Sequence, residues 1–268
     1  MRTGRLFLVL TLAAAPACTP VRHSTEREPA NPLRAAVEIT AAAGSARVIM
    51  TVRTESTSRR KLATIGMTTG VVDWDEGTGS VKQVTRFVPV PDGVEQPPPV
   101  WTVWDDDFLY RKGERVTENV PGHPVWVRLS FLELPPPAAT PLGEDPGRAI
   151  DYLHGATSRF EEIGRQIVRG VEAVRYEAEL DVEKMERLAP DPDVVDQGVE
   201  YFEVLGYDET VPADIWLDEE GRMIRFRVAA VLDDTRETFT IDLFDFGVDA
   251  AIELPQRAKA VSIYDLLP

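Results

Sequence analysis

The chain has 268 residues, with 29 Lys+Arg against 45 Asp+Glu and a formal charge of −16. That length supports one large domain or two small ones, and the acid excess argues against a nucleic-acid partner, whose phosphates need a basic face. One cysteine, Cys18, excludes an intrachain disulfide, and His23, His123 and His154 lie too far apart in sequence to suggest a metal site or a histidine-based triad.

Arg2 and Arg5 precede an apolar run from Leu6 to Ala17. The run falls short of the ~20 residues a membrane-spanning helix needs, but it suits the core of a signal peptide. It ends Ala15-Pro16-Ala17-Cys18, which resembles a bacterial lipobox. The resemblance implies acylation of Cys18 as the mature N-terminus and a lipid-anchored location on the extracytoplasmic face of the cell membrane. Cleavage would remove two arginines and no acid, so an acidic body should be repelled by anionic headgroups and stand off the bilayer. The polar, proline-containing stretch that follows reads as a tether. The expected organisation is signal peptide 1–17, acylated Cys and tether 18–34, and a single domain 35–268.

Alternation dominates from residue 35 onward. Ala46, Val48, Met50 and Val52 share one face of a predicted strand. Val71–Trp74, the turn Asp75–Gly79 and Val81–Val88 read as a hairpin. Trp101–Trp104 and Phe108–Tyr110 flank the acidic turn Asp105–Asp107, and Val125, Val127, Leu129 and Phe131 alternate in another strand. After the loop from Pro135, Asp145 is a candidate N-cap with Pro146 behind it, and Ala149, Tyr152, Leu153, Ala156 and Phe160 predict a helix over about 146–157.

Val174, Tyr176, Ala178, Leu180 and Val182 alternate with charged residues, and Val182, Met185 and Leu188 share a helical face. A second helical run carries Val195, Val199, Phe202 and Leu205. Strands then follow over 213–217, over 224–230 with Ile224, Phe226, Val228 and Ala230 inward, over 239–243, and finally at Ile252 and Leu254. Leu180, Phe226 and Ile241 should therefore be buried, while Glu179 and Arg225 should tolerate substitution. Asp73-Trp74-Asp75 with Gly77 fits a turn better than a calcium loop, since Val84 stands where the bidentate Glu would be. There is no Gly-x-Ser-x-Gly, His-Glu-x-x-His, P-loop or dinucleotide fingerprint. Nothing in the sequence calls for an enzyme, a cofactor or a metal.

Roughly ten antiparallel strands with helices between them give an α+β class, and a sheet of that size curls. Its concave apolar face needs a cover of amphipathic helices, and incomplete cover leaves an apolar cavity. The order Val168-Arg169-Gly170-Val171, Tyr176, Val204-Leu205-Gly206, Val211–Asp218, Gly221 and Asp242–Val248 resembles the actinobacterial LppX/LprG-type lipoproteins, similar in fold to Lol-type lipoprotein carriers. The resemblance implies a curved antiparallel half-barrel closed by helices, with a lipid or acylated ligand in the cavity. Met50, Val52, Trp126, Leu180, Trp216 and Phe226 are the cavity candidates, with hairpin packing the competing role for Trp216. Rival readings are a sensor module of the same fold that binds a protein partner, and an envelope scaffold without a ligand.

Overall fold

Asn31 opens the first element as an N-cap. Its side-chain oxygen accepts from the backbone N–H groups of Leu33 and Arg34 at 3.0 and 3.4 Å, and Pro32 takes the first helical position. The resulting helix α1, Pro32–Ala41, buries Leu33, Ala36, Val37 and Thr40 at helical spacing. It begins inside the segment expected to be tether. The computed structural model describes residues 31–56, 63–105, 107–117, 120, 125–130, 145–188, 202–203, 205–232 and 234–262. The expectations for Cys18, the signal segment, the tether to residue 30, Asp106, Phe131, the prolines at 135–137, Val195 and Val199 lie outside these residues.

The strands are β1 (Ser45–Ser56), β2 (Ala63–Asp73), β3 (Thr78–Val88), β4 (Val100–Trp104), β5 (Phe108–Lys112), β6 (Trp126–Ser130), β7 (Ala156–Val168), β8 (Val171–Asp181), β9 (Thr210–Leu217), β10 (Met223–Leu232), β11 (Thr235–Phe244) and β12 (Ala260–Ser262). They form one sheet in the order β12-β6-β5-β4-β3-β2-β1-β11-β10-β9-β8-β7. One meander runs outward from β1 to β6. The chain then moves to the opposite edge, and a second meander returns from β7 to β11 beside β1. Every pairing is antiparallel except β12 with β6. At the seam, Val48, Met50 and Val52 face Leu243, Ile241 and Phe239, so apolar cross-strand pairs join the two meanders. The fold is the α+β curved, unclosed sheet expected, with twelve strands among the described residues rather than ten.

Helix α1, the 3-10 helix Pro146–Gly155 and helix α3 (Val182–Leu188) cover the inner face; the short α2 (Glu114–Thr117) lies between β5 and β6. Tyr152 of the 3-10 helix packs edge-on against Phe202 at 5.2 Å and lies 6.1 Å from Phe226, which in turn meets Phe239 at 6.4 Å. This aromatic plug joins helix cover and sheet in one core, in which Leu180, Phe226 and Ile241 are fully buried.

Several expectations change in detail. The segment after Asp145 is a 3-10 helix that stops at Gly155, and Phe160 belongs to β7. Gly155 allows the close approach, since a Cβ there would lie 2.5 Å from Met185 Cγ. Leu188 is exposed, so of the three residues expected to share one face of α3 only Val182 and Met185 are buried. Met223, not Ile224, takes the inward position in β10, because a bulge between Met223 and Arg225 shifts the register against β9. Ile252 and Leu254 form no strand; the last strand is β12, further along, held parallel to β6.

Candidate functional site

Among the described residues the inner face is filled over much of its area, and a cleft of about 520 Å³ lies beside the 3-10 helix. Val37 and Ala41 of α1, Val72 and Trp74 at the end of β2, Trp104 of β4 and Ile150 of the 3-10 helix form its apolar walls. The sequence builds those walls locally. Gly79 carries no Cβ, which would otherwise sit 1.8 Å from Trp104 Cζ2, so the indole lies flat across β3. Trp74 is fixed by its Nε1, which donates to the Gly147 carbonyl at 3.2 Å, and by its backbone N–H, which donates to the Gly44 carbonyl at 2.7 Å.

Polar groups ring the same cleft: Glu38, Asp73, Asp105, Asp145, Arg148, Asp151 and His154. Asp145 caps the 3-10 helix by accepting from Gly147 N–H at 2.9 Å, and its carboxylate lies 3.4 Å from Arg148 Nε. Burial pushes its carboxyl above the usual carboxylate range, against the opposing pull of Arg148. Burial lowers the His154 imidazole below its ordinary value, the Arg34 charge adds to that, and Glu38 opposes it. His154 Nε2 is buried with no hydrogen-bond partner. A volume of this size with apolar walls and a few convergent polar groups has the character of a small-molecule site. Among the described residues, no group of three His, Cys, Asp or Glu is arranged to hold a metal.

The cavity candidates separate into three sets. Met50, Leu180 and Phe226 lie in the packed core under the helices, with exposures of 2% or less, so side chains occupy the space above them. Val52 is partly buried at the margin of that core. Trp126 and Trp216 point to the outer face, because their neighbours Val127, Ile215 and Leu217 point inward. Trp216 packs with Val168, Ala173 and Ile224, donates to Gln166 Oε1 at 2.9 Å, and is ringed by the guanidiniums of Arg175, Arg225 and Arg227 at 5.4 to 5.7 Å. Of its two competing roles, packing between strands is the one the structure shows.

No local pattern in the sequence marks the cleft residues as a group. Local pattern gives Trp74 a hairpin, Trp104 a strand and Asp145 a helix cap, and only tertiary folding brings them to one place. A larger hollow of about 570 Å³ on the outer face is lined by the Asp218–Arg222 ion pair, Arg169 and Phe244, and its polar groups are already engaged with each other or with aromatic rings.

No family model matches this chain, and no curated protein matches it. Solved structures that it resembles include LprF from Mycobacterium bovis, at 14% identity and a TM-score of 0.44, with 84% of this chain and 94% of that one covered. The Mycobacterium tuberculosis lipoprotein LppX follows at 13% and 0.42, with 81% and 97% covered. An outer membrane lipoprotein-sorting protein domain from Vibrio parahaemolyticus stands at 10% and 0.30, with 82% and 95% covered. The likeness is one of fold. Among the described residues, no helix is long and apolar enough to cross a membrane.

Proposed function

We propose that this chain is an exported lipoprotein, anchored through an acylated Cys18, whose inner-face cleft receives an acyl chain and shields it from water. The observation that carries the reading is the cleft itself: about 520 Å³ walled by Val37, Ala41, Val72, Trp74, Trp104 and Ile150, on the apolar side of a curved sheet. Transfer of apolar surface into such a site is favourable by roughly 25 cal/mol per Å² before association costs are subtracted. The chemistry is passive and needs no nucleophile, cofactor or metal.

The 3-10 helix is the natural gate. It closes one side of the cleft with Ile150 and fills the core beside it with Tyr152 and Leu153. Its 3-10 hydrogen bonds are less favourable than those of an α-helix of equal length. Outward movement of this helix would join the cleft to the floor at Met50, Val52, Leu180 and Phe226, making room for a longer chain. Native mass spectrometry of gently purified protein tests the reading. A lipid adduct that survives at low activation and disappears on delipidation supports it, and an adduct-free mass after incubation with fatty acid or phospholipid overturns it.

A further inference from the structure

The outer face of the sheet is divided in its treatment of positive charge. On the β8–β11 half every central guanidinium is neutralised: Arg175 and Arg227 by Asp214, and Arg225 by Asp242. On the other half, strands β3, β4, β5 and β6 contain no acidic residue at all, in a chain with 45 of them. Alternation places Lys82, Arg86, Lys112 and Arg128 on the outer side there, because Val81, Leu109, Val127 and Leu129 face the core. None of the four has a carboxylate partner among the described residues.

Aromatic rings lie between them instead. Lys82 and Trp101 are cross-strand partners, as are Trp101 and Lys112. The Lys82 and Lys112 ammonium groups lie 5.3 and 5.5 Å from the Trp101 ring, and Lys112 is also 4.9 Å from Trp126. Phe108 carries Arg128 at 4.8 Å and Arg257 at 4.3 Å. Trp101 is 36% exposed and Val125, beside Trp126, is 67% exposed.

We infer that this outer face of β3–β6, centred on Lys82, Trp101, Lys112 and Trp126, docks on an anionic lipid surface. Indole rings partition to the headgroup level, and lysines beside them extend their ammonium groups toward phosphate while their stems lie along the rings. Each cation near such a surface adds about fivefold to the partition coefficient. The acid excess elsewhere repels the same surface, so charge orients the molecule with this face inward. The domain then lies against the bilayer by one face instead of standing off it. The inference is independent of the cleft and of acylation.

Full-length protein with Cys18→Ala, which lacks the acylated cysteine, should be sedimented with vesicles of phosphatidylcholine alone and of equal parts phosphatidylcholine and phosphatidylglycerol. Binding to the mixed vesicles only, diminished by salt, is expected. Lys82→Gln with Lys112→Gln should weaken it on the order of 30-fold. Lys82→Arg with Lys112→Arg should retain it, and Arg236→Gln, on an exposed position of β11, should leave it unchanged. Circular dichroism of each variant verifies the fold. Should the Gln variant not fold, the salt dependence of the unsubstituted face decides. Equal binding to both vesicle types, full retention in a folded Gln variant, or binding to heparin or an acidic protein without vesicle binding would each overturn the inference.

Discussion

Arg225 and Asp242 meet across β10 and β11 in a two-point ion pair, Nε to Oδ1 at 2.5 Å and Nη2 to Oδ2 at 2.7 Å. Sequence alternation alone makes Arg225 an outward residue that tolerates change, but the pair alters that. Asp242 is only 8% exposed, and the guanidinium lies 5.7 Å from the Trp216 ring. Arg225→Ala leaves a buried carboxylate without its partner and should cost about 1–3 kcal/mol. Glu179→Ala, which breaks an exposed pair with Arg159, should cost under about 1 kcal/mol. Urea unfolding of the two variants compares them directly. Replacing both members of the pair, as Arg225→Met with Asp242→Leu, should cost less than Arg225→Ala alone.

Cleft and core should respond differently to added volume. Ala41 lines the cleft and is only partly buried. Ala41→Trp should therefore occupy free space, lower uptake of a fluorescent fatty acid, and leave the melting temperature within about 4 °C. Val52 packs against the filled core, so Val52→Trp overpacks it and should cost about 1–3 kcal/mol. Leu180→Ala and Phe226→Ala should each cost about 2–5 kcal/mol. A large loss of stability in Ala41→Trp with uptake intact would remove the cleft from consideration.

His154 should leave a signature on the acid limb of stability. Burial lowers its folded-state value below 6.5, so the unfolded chain binds its proton more readily. Stability from this group is full above 6.5 and is lost as pH falls from 6.5 toward the lowered value. Denaturation midpoints at about pH 8 and about pH 5 should differ less in His154→Gln than in wild type. An identical difference in the two proteins would show that the imidazole titrates alike when folded and unfolded.

Cys18 is tested by labelling. Wild-type protein should incorporate labelled palmitate and partition into detergent, whereas Cys18→Ala should do neither. Incorporation in the variant would place the acyl chain elsewhere and dismiss the lipobox reading.

Local pattern carried a great deal. Period-two alternation placed Val48, Met50, Leu180, Phe226, Ile241 and Leu243 on the buried face, because successive strand side chains point to opposite sides whatever the sheet pairs with. Asp145 announced its helix start, since capping is a matter of the next two backbone N–H groups. The same signal stands at Asn31-Pro32, followed by Leu33, Ala36, Val37 and Thr40 at helical spacing, although the polar, proline-containing composition of the stretch before it suits a tether.

Tertiary structure decided what depends on residues far apart in sequence. Pairing of β1 with β11 joins Met50 to Ile241, and no local propensity encodes that register. The bulge that turns Ile224 outward exists because β10 must match β9 through a tight return at Gly221. Whether an apolar sheet face is filled or hollow depends on the volume delivered by covering segments. Tyr152 and Phe202 fill the space over Phe226, while α1 and the 3-10 helix leave a cleft beside Trp74 and Trp104. That the strands β3, β4, β5 and β6 themselves contain no acid is legible in the residues. The gathering of Lys82, Arg86, Lys112 and Arg128 on one face with Trp101 and Trp126 is not, because only adjacent strands in register turn four scattered cations into one surface.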